Sequence, residues 1–275
     1  IGTLGLNAVI QIAAVGAFAA RIAGVTTHRI ALSISLFSLV AFASRLANLF
    51  YAPMLATIAD RTGDVVGKLA GTPALTAAPL GQFDVQVRLI VFAGTIGTLI
   101  GALFLPVFEY LFVRGINSYH RTDSVPGSLL RLLNVRVLVD VARSFRLPQP
   151  SQWAQHRPSR VPGKLLFWNT VLQAVYAIGV IAAAYASVRD PLYARTAYSL
   201  SGVVNGIGRF AFTLFVDPTA AGIVDAAVHG KRTLEDVRAM VFWLTATMVL
   251  GTLVSQLLLF PAAVVIDASA RLVHR

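Results

Sequence analysis

Six runs of this sequence are each long enough to cross a bilayer as a helix and are almost free of charge. About 20 predominantly apolar residues span the hydrocarbon core. In lipid the backbone must satisfy its own hydrogen bonds, which restricts such runs to helices or closed barrels. The runs lie at 2–20, 30–59, 89–113, 165–187, 196–228 and 239–266, and they predict an all-α membrane protein with six transmembrane helices. Composition agrees. Hydrophobic residues make up 56% and charged residues 13% of the chain, against roughly 25% charged in soluble domains. The first run has no basic segment before it and no small-residue cleavage site followed by a polar chain, so it reads as a helix and not as a removable signal.

A net charge of +11 would suggest nucleic acid in a soluble protein. Here the basic residues fall in the connections. Fourteen Lys and Arg lie in the loops between runs 1 and 2, 3 and 4, and 5 and 6, against seven in the other loops and the termini. That bias places the loop 114–164 in the cytoplasm and both termini outside, and it removes nucleic acid as an expected partner. The chain has no cysteine, and its five histidines show no ligand spacing, so neither a metal nor a cofactor is expected. The string Gly63 to Lys68 has three residues between its glycines where a phosphate-binding Walker loop needs four. No catalytic residue is assigned, and a transporter is expected in place of an enzyme.

The stretch 60–88 is polar and rich in Gly and Pro, and reads as an ordered loop or short surface helix. In the longest connection, 128–146 spaces Arg136, Asp140 and Arg143 at helical intervals among Leu and Val. This fits a helix lying in the membrane interface or one packed on the protein's own surface.

The two halves of the chain repeat each other. Asn7 to Gln11 (NAVIQ) matches Asn169 to Gln173 (NTVLQ). The string SRLANLFYAPMLATIAD, ending at Asp60, matches GRFAFTLFVDPTAAGIVD, ending at Asp225, with one extra residue between Arg and Pro in the second copy. GTLIGALFLP, ending at Pro106, matches GTLVSQLLLFP, ending at Pro261. The order is the same in each half. Three helices per copy reverse the direction in which the second copy enters the membrane, so two inverted three-helix repeats are expected, with a site near the midplane. The units are 1–113, the basic loop 114–164, and 165–275.

Arg45 and Arg209 fall on matching positions halfway through runs 2 and 5. Arginine at mid-bilayer costs about 2.5–3.5 kcal/mol on insertion scales and needs a partner. One choice is an internal ion pair with Asp217 or Glu109, with proton coupling a further role for those carboxylates. The other is an anionic ligand, since guanidinium suits phosphate. Asn48 and Asn205, near the arginines, can donate to a ligand or bond a neighbouring helix. Each arginine precedes a proline, Pro53 or Pro218, by about two turns. These and Pro106 and Pro261 are expected to break or bend their helices beside a cavity.

Across 21–60 the sequence resembles the Amj family of alternate lipid II flippases. That family's pattern runs R-[IL]-A-G-V, a basic residue, A-L-S-L-F, S-R-x-A-N, then A-P-[ML]-L. It stands here as Arg21 to Val25, Ala31 to Phe37, Ser44 to Asn48 and Ala52 to Leu55. The resemblance implies a multi-pass protein of the bacterial cytoplasmic membrane. It implies movement of lipid II, the undecaprenyl-pyrophosphate-linked peptidoglycan precursor, to the outer leaflet. Arg45 and Asn48 fall on the family pattern; Arg209 and Asp217 rest on the internal repeat. Transport of another polyprenyl-phosphate-linked or anionic substrate, or a non-transporting cell-wall scaffold, are the alternatives.

Overall fold

The computed structural model describes residues 2–69, 72–122 and 161–273. The described residues form α1 (Gly2–Thr26), α2 (Ile30–Lys68), α3 (Pro73–Leu103), α4 (Leu105–Thr122), α5 (Gly163–Arg189), α6 (Ala194–Phe215), α7 (Asp217–Val228) and α8 (Leu234–Val273), with one 3-10 turn, Pro191–Tyr193, before α6. Among the described residues six stretches are long and apolar enough to cross a membrane: α1, α2, α3 from Ala74, α5, the unit Pro191–Val228, and α8. The protein is an all-α membrane protein with six such helices.

Several boundaries differ from the sequence expectation. The stretch 60–88 is helical except for a short connection, because α2 runs on to Lys68 and α3 starts at Pro73. Asp60, Arg61, Asp64 and Lys68 are exposed; being polar marks where α2 leaves the apolar layer, not where the helix stops. Pro73 opens α3 at a position where its missing N–H costs nothing, and Arg88 Nε bonds Asp84 one turn back at 2.7 Å. The α1 helix continues to Thr26, drawing Arg21 out of the expected loop. The expected third helix is two, interrupted at Phe104. The interfacial segment 128–146 lies outside the described residues.

Prolines do not act alike. Pro218 is the second residue of α7, after an interruption at Val216, and Pro106 is the second residue of α4. Pro53 and Pro261 sit inside unbroken α2 and α8, so Pro53 is not the helix breaker the sequence suggested. Among packed membrane helices, neighbours and local adjustment can satisfy the group a proline frees.

In the first half α1 packs on α2 and α3; in the second, α5 packs on α6 and α8. Small residues let the backbones approach. A Cβ at Gly97 of α3 would lie 2.3 Å from the Ala8 carbonyl oxygen of α1, and one at Gly251 of α8 would lie 2.8 Å from the Thr170 oxygen of α5. A buried amide stitches each pair. Asn7 Nδ2 donates to Ile90 O at 2.7 Å, and Asn169 Nδ2 donates to Leu244 O at 2.9 Å. In the register set by NAVIQ/NTVLQ and GTLI/GTLV, donor matches donor and acceptor matches acceptor.

Among the described residues there are three apolar cores. The third and smallest, of Ala19, Ala20, Ala23, Leu36, Phe112 and Ile116, joins α1, α2 and α4, and two larger ones lie toward opposite ends of the bundle. One, including Tyr51, Leu55, Phe83, Val87, Ile178, Ile181 and Leu259, fills the end where α2 meets α3 and α5 meets α6. The other, including Phe18, Ile22, Leu165, Val216, Met240 and Leu244, lies at the end where α1 meets α2 and α7 meets α8.

Candidate functional site

In the half of the bundle that holds the second core, α1, α2, α5 and α6 enclose a cavity of about 640 Å³. Its wall carries Arg45 and Asn48 from α2, Asn205 and Arg209 from α6, and Asp217 from the start of α7. Five of the residues singled out from sequence therefore meet in one place, two of them the repeat-matched arginines. Glu109 is elsewhere: its Oε1 accepts from Arg238 Nη2 at 3.0 Å, and Arg238 Nη1 also bonds Glu235 at 3.0 Å.

The α2 and α6 helices flank the cavity without packing extensively on each other. They are joined toward the end filled by the first core, where the Tyr198 hydroxyl donates to the Ala52 carbonyl and Pro191 approaches Gly67. Arg45 is exposed, and the Arg209 side chain is 51% exposed. The outer faces beside them are greasy: Phe42, Leu46, Leu49 and Phe50 on α2, and Val203, Ile207, Phe210 and Leu214 on α6 are all exposed. The cleft between α2 and α6 thus joins a polar interior to a lipid-compatible surface.

Three residues in the wall escaped the sequence reading. Gln11 and Gln173, the closing residues of NAVIQ and NTVLQ, both line the cavity, from α1 and α5. They served as repeat markers and were given no role. Arg21 also lines it. Its Nη2 donates to Asp217 Oδ1 at 2.9 Å, while Arg209 Nη2 stands 3.8 Å from Asp217 Oδ2. The guanidinium of Arg21 lies over the Phe18 ring and that of Arg209 over Phe212, each 5.5 Å from the centroid. A signal for Arg21 existed: Gln11, Ala14, Phe18 and Arg21 are spaced to share one helical face, and all four line the cavity.

Electrostatically the wall is unbalanced. Three arginines face one aspartate, leaving an excess of two positive charges in a setting where ionisable groups are costly. Arg21 Nη1, a donor, is buried with no hydrogen-bond partner; Asn205 Oδ1, also unpartnered, is an acceptor that lies against Gly179 of α5. An excess of guanidinium charge can attract an anion, and the guanidinium fork matches phosphate oxygens.

The family described as "Alternate to MurJ", Amj, has a model that matches residues 6–270. The protein named lipid II flippase Amj, from Bacillus subtilis (strain 168), is 30% identical over 251 residues, which is 90% of this chain and 87% of that relative. No solved structure matches. With its motifs in α1 and α2, its six spanning helices and a family match over nearly the whole length, this chain belongs to the Amj family.

Proposed function

We propose that this protein is a lipid II flippase that carries the pyrophosphate of its substrate in the cavity between α2 and α6. The observation that carries the reading is the meeting of Arg45 and Arg209 in one chamber of about 640 Å³ with an excess of two positive charges. A pyrophosphate diester bears one negative charge on each phosphoryl group, so it balances that excess. Asn48, Asn205, Gln11 and Gln173 supply uncharged hydrogen-bond partners for the rest of the headgroup. The cleft lets the prenyl tail stay among the lipids while the polar end enters, with exposed Phe50 and Phe210 on its two sides.

The two matched amide-to-carbonyl bonds and the two matched glycine contacts support an inverted repeat, the construction on which alternating access rests in many transporters. The distribution of Lys and Arg supports a bacterial cell-membrane protein with loop 114–164 in the cytoplasm and the termini outside. In that orientation the cavity lies in the cytoplasmic half and the Tyr51–Leu55 core closes the outer half. This is the arrangement for loading from the inner leaflet.

The test is lipid II translocation in proteoliposomes. Arg45→Ala and Arg209→Ala are each expected to abolish it while the purified proteins keep their helical content and melting temperature. Wild-type translocation in both variants sinks the reading.

A further inference from the structure

The sequence offered Arg45 and Arg209 as the anion's ligands, but the most enclosed cation in the wall is Arg21. Its side chain is 17% exposed, and of its donors Nη2 bonds Asp217 while Nη1 is buried and unpartnered. A buried donor without an acceptor is costly, and more so when it is charged. Asp217 is placed to serve two masters, 2.9 Å from Arg21 on α1 and 3.8 Å from Arg209 on α6. It does so as the first residue of α7, just past the interruption at Val216. It therefore ties the first half of the chain to the joint in the second half.

We propose that Arg21 is a third anion-binding arginine of this cavity and that Asp217 is its built-in counter-ion, which an entering pyrophosphate displaces. Displacement frees α1 from the α6–α7 joint, so occupancy of the cavity is transmitted to the helix interruption. The proposal rests on the cavity being the headgroup site. Its chemistry follows from competition: phosphoryl oxygens and a carboxylate seek the same guanidinium edge. A carboxylate held in that place keeps the empty cavity from carrying three uncompensated charges. It also makes an anion's arrival do work on the α1–α7 contact, the differential interaction any ligand-driven change requires.

The test uses the full chain in nanodiscs with inorganic pyrophosphate as probe, read by calorimetry. Arg21→Gln is expected to weaken binding at least tenfold and Asp217→Asn to strengthen it several-fold while slowing lipid II translocation. Wild-type affinity in Arg21→Gln, or weaker binding in Asp217→Asn, overturns the proposal. If Arg45→Ala and Arg209→Ala lose binding while Arg21→Gln does not, this inference fails and the cavity reading stands. If pyrophosphate binds wild type no better than Arg45→Ala and Arg209→Ala, both fail. A second measurement needs no change in the wall. The chain has no cysteine, so Thr26→Cys and His229→Cys, both at exposed positions, take spin labels cleanly. Pyrophosphate is expected to shift the distance between them by several ångströms, and an unchanged distance overturns the displacement.

Discussion

Gly97→Ala tests how tightly the site's scaffold is set. The added Cβ would stand 2.3 Å from the Ala8 carbonyl oxygen and 2.6 Å from Ala8 Cα, both backbone atoms with no rotamer to yield. Reaching even 3.0 Å, below which real Cβ contacts essentially never fall, requires α1 to retreat from α3 by 0.7 Å. At Gly251 the nearest atom is 2.8 Å away, so the same criterion asks for 0.2 Å. Overpacking costs about 1–3 kcal/mol, offset by the roughly 0.8–1.0 kcal/mol by which Ala exceeds Gly in helix propensity. The expected net is a loss of about 1–2 kcal/mol for Gly97→Ala and near zero for Gly251→Ala. Gly63→Ala, with nothing within 4 Å, should gain up to about 1 kcal/mol. Denaturant unfolding in a fixed detergent, followed by circular dichroism, ranks the three. The Asn7 bond and Gln11 both ride on α1, so Gly97→Ala should also lower lipid II translocation. An order in which Gly97→Ala is as stable as Gly63→Ala would refute the close-packing argument.

Asn7→Ala and Asn169→Ala should each destabilise the bundle by about 0.6–1.7 kcal/mol, the range for interhelical hydrogen bonds in membranes. Asn169 should sit at the upper end because its Nδ2 also bonds Thr247 Oγ1 at 2.8 Å; unchanged unfolding midpoints would contradict both. Gln11→Ala and Gln173→Ala should leave stability within about 1 kcal/mol and reduce lipid II translocation severalfold, whereas full transport in both would remove the amides from the site. Glu109→Gln should keep transport and cost under about 1 kcal/mol, since its partner Arg238 is 38% exposed; abolished transport would show that Glu109 serves the cycle directly.

The helices were legible because a bilayer leaves an apolar run few alternatives, and the matching strings could be picked out because Asn, Gln, Arg and Pro stand out against that background. What sequence misjudged were polar ends and prolines. Polarity in 60–88 reports depth relative to the membrane, and a helix can leave the apolar layer without ending, as α2 does. A proline becomes a break or a tolerated bend according to what surrounds it. Here one clue was on the page: the extra residue between Arg209 and Pro218, compared with Arg45 and Pro53, falls in the stretch where the helix is interrupted at Val216. Arg45 and Arg209 could be named from matching alone. That they share a wall with Arg21 could not, since it depends on how α1 and α7 meet across nearly 200 residues of chain.

The proline differences have an order of their own. Pro53 matches Pro218, and Pro106 matches Pro261, yet within each pair one helix runs unbroken and its counterpart is interrupted. The interruptions at Phe104 and Val216 both fall toward the end of the bundle that holds the cavity: Leu105 packs against the core that contains Val216. The uninterrupted members, at Pro53 and Pro261, sit beside the other end, with Tyr51, Leu55 and Leu259 in its core. If the two halves are an inverted repeat that exchanges conformations, as proposed above, these features exchange with them. The cavity would close at one end as α3 joins α4 and α6 joins α7, and it would open at the other as α2 and α8 yield at their prolines. The Tyr198–Ala52 bond, one residue before Pro53, is then a contact that must part in that exchange, as the Arg21–Asp217 pair is at the open end. The matched prolines thus need not look alike in any one state, because a carrier that shows a site to each face in turn cannot be symmetric at the moment it shows it to one.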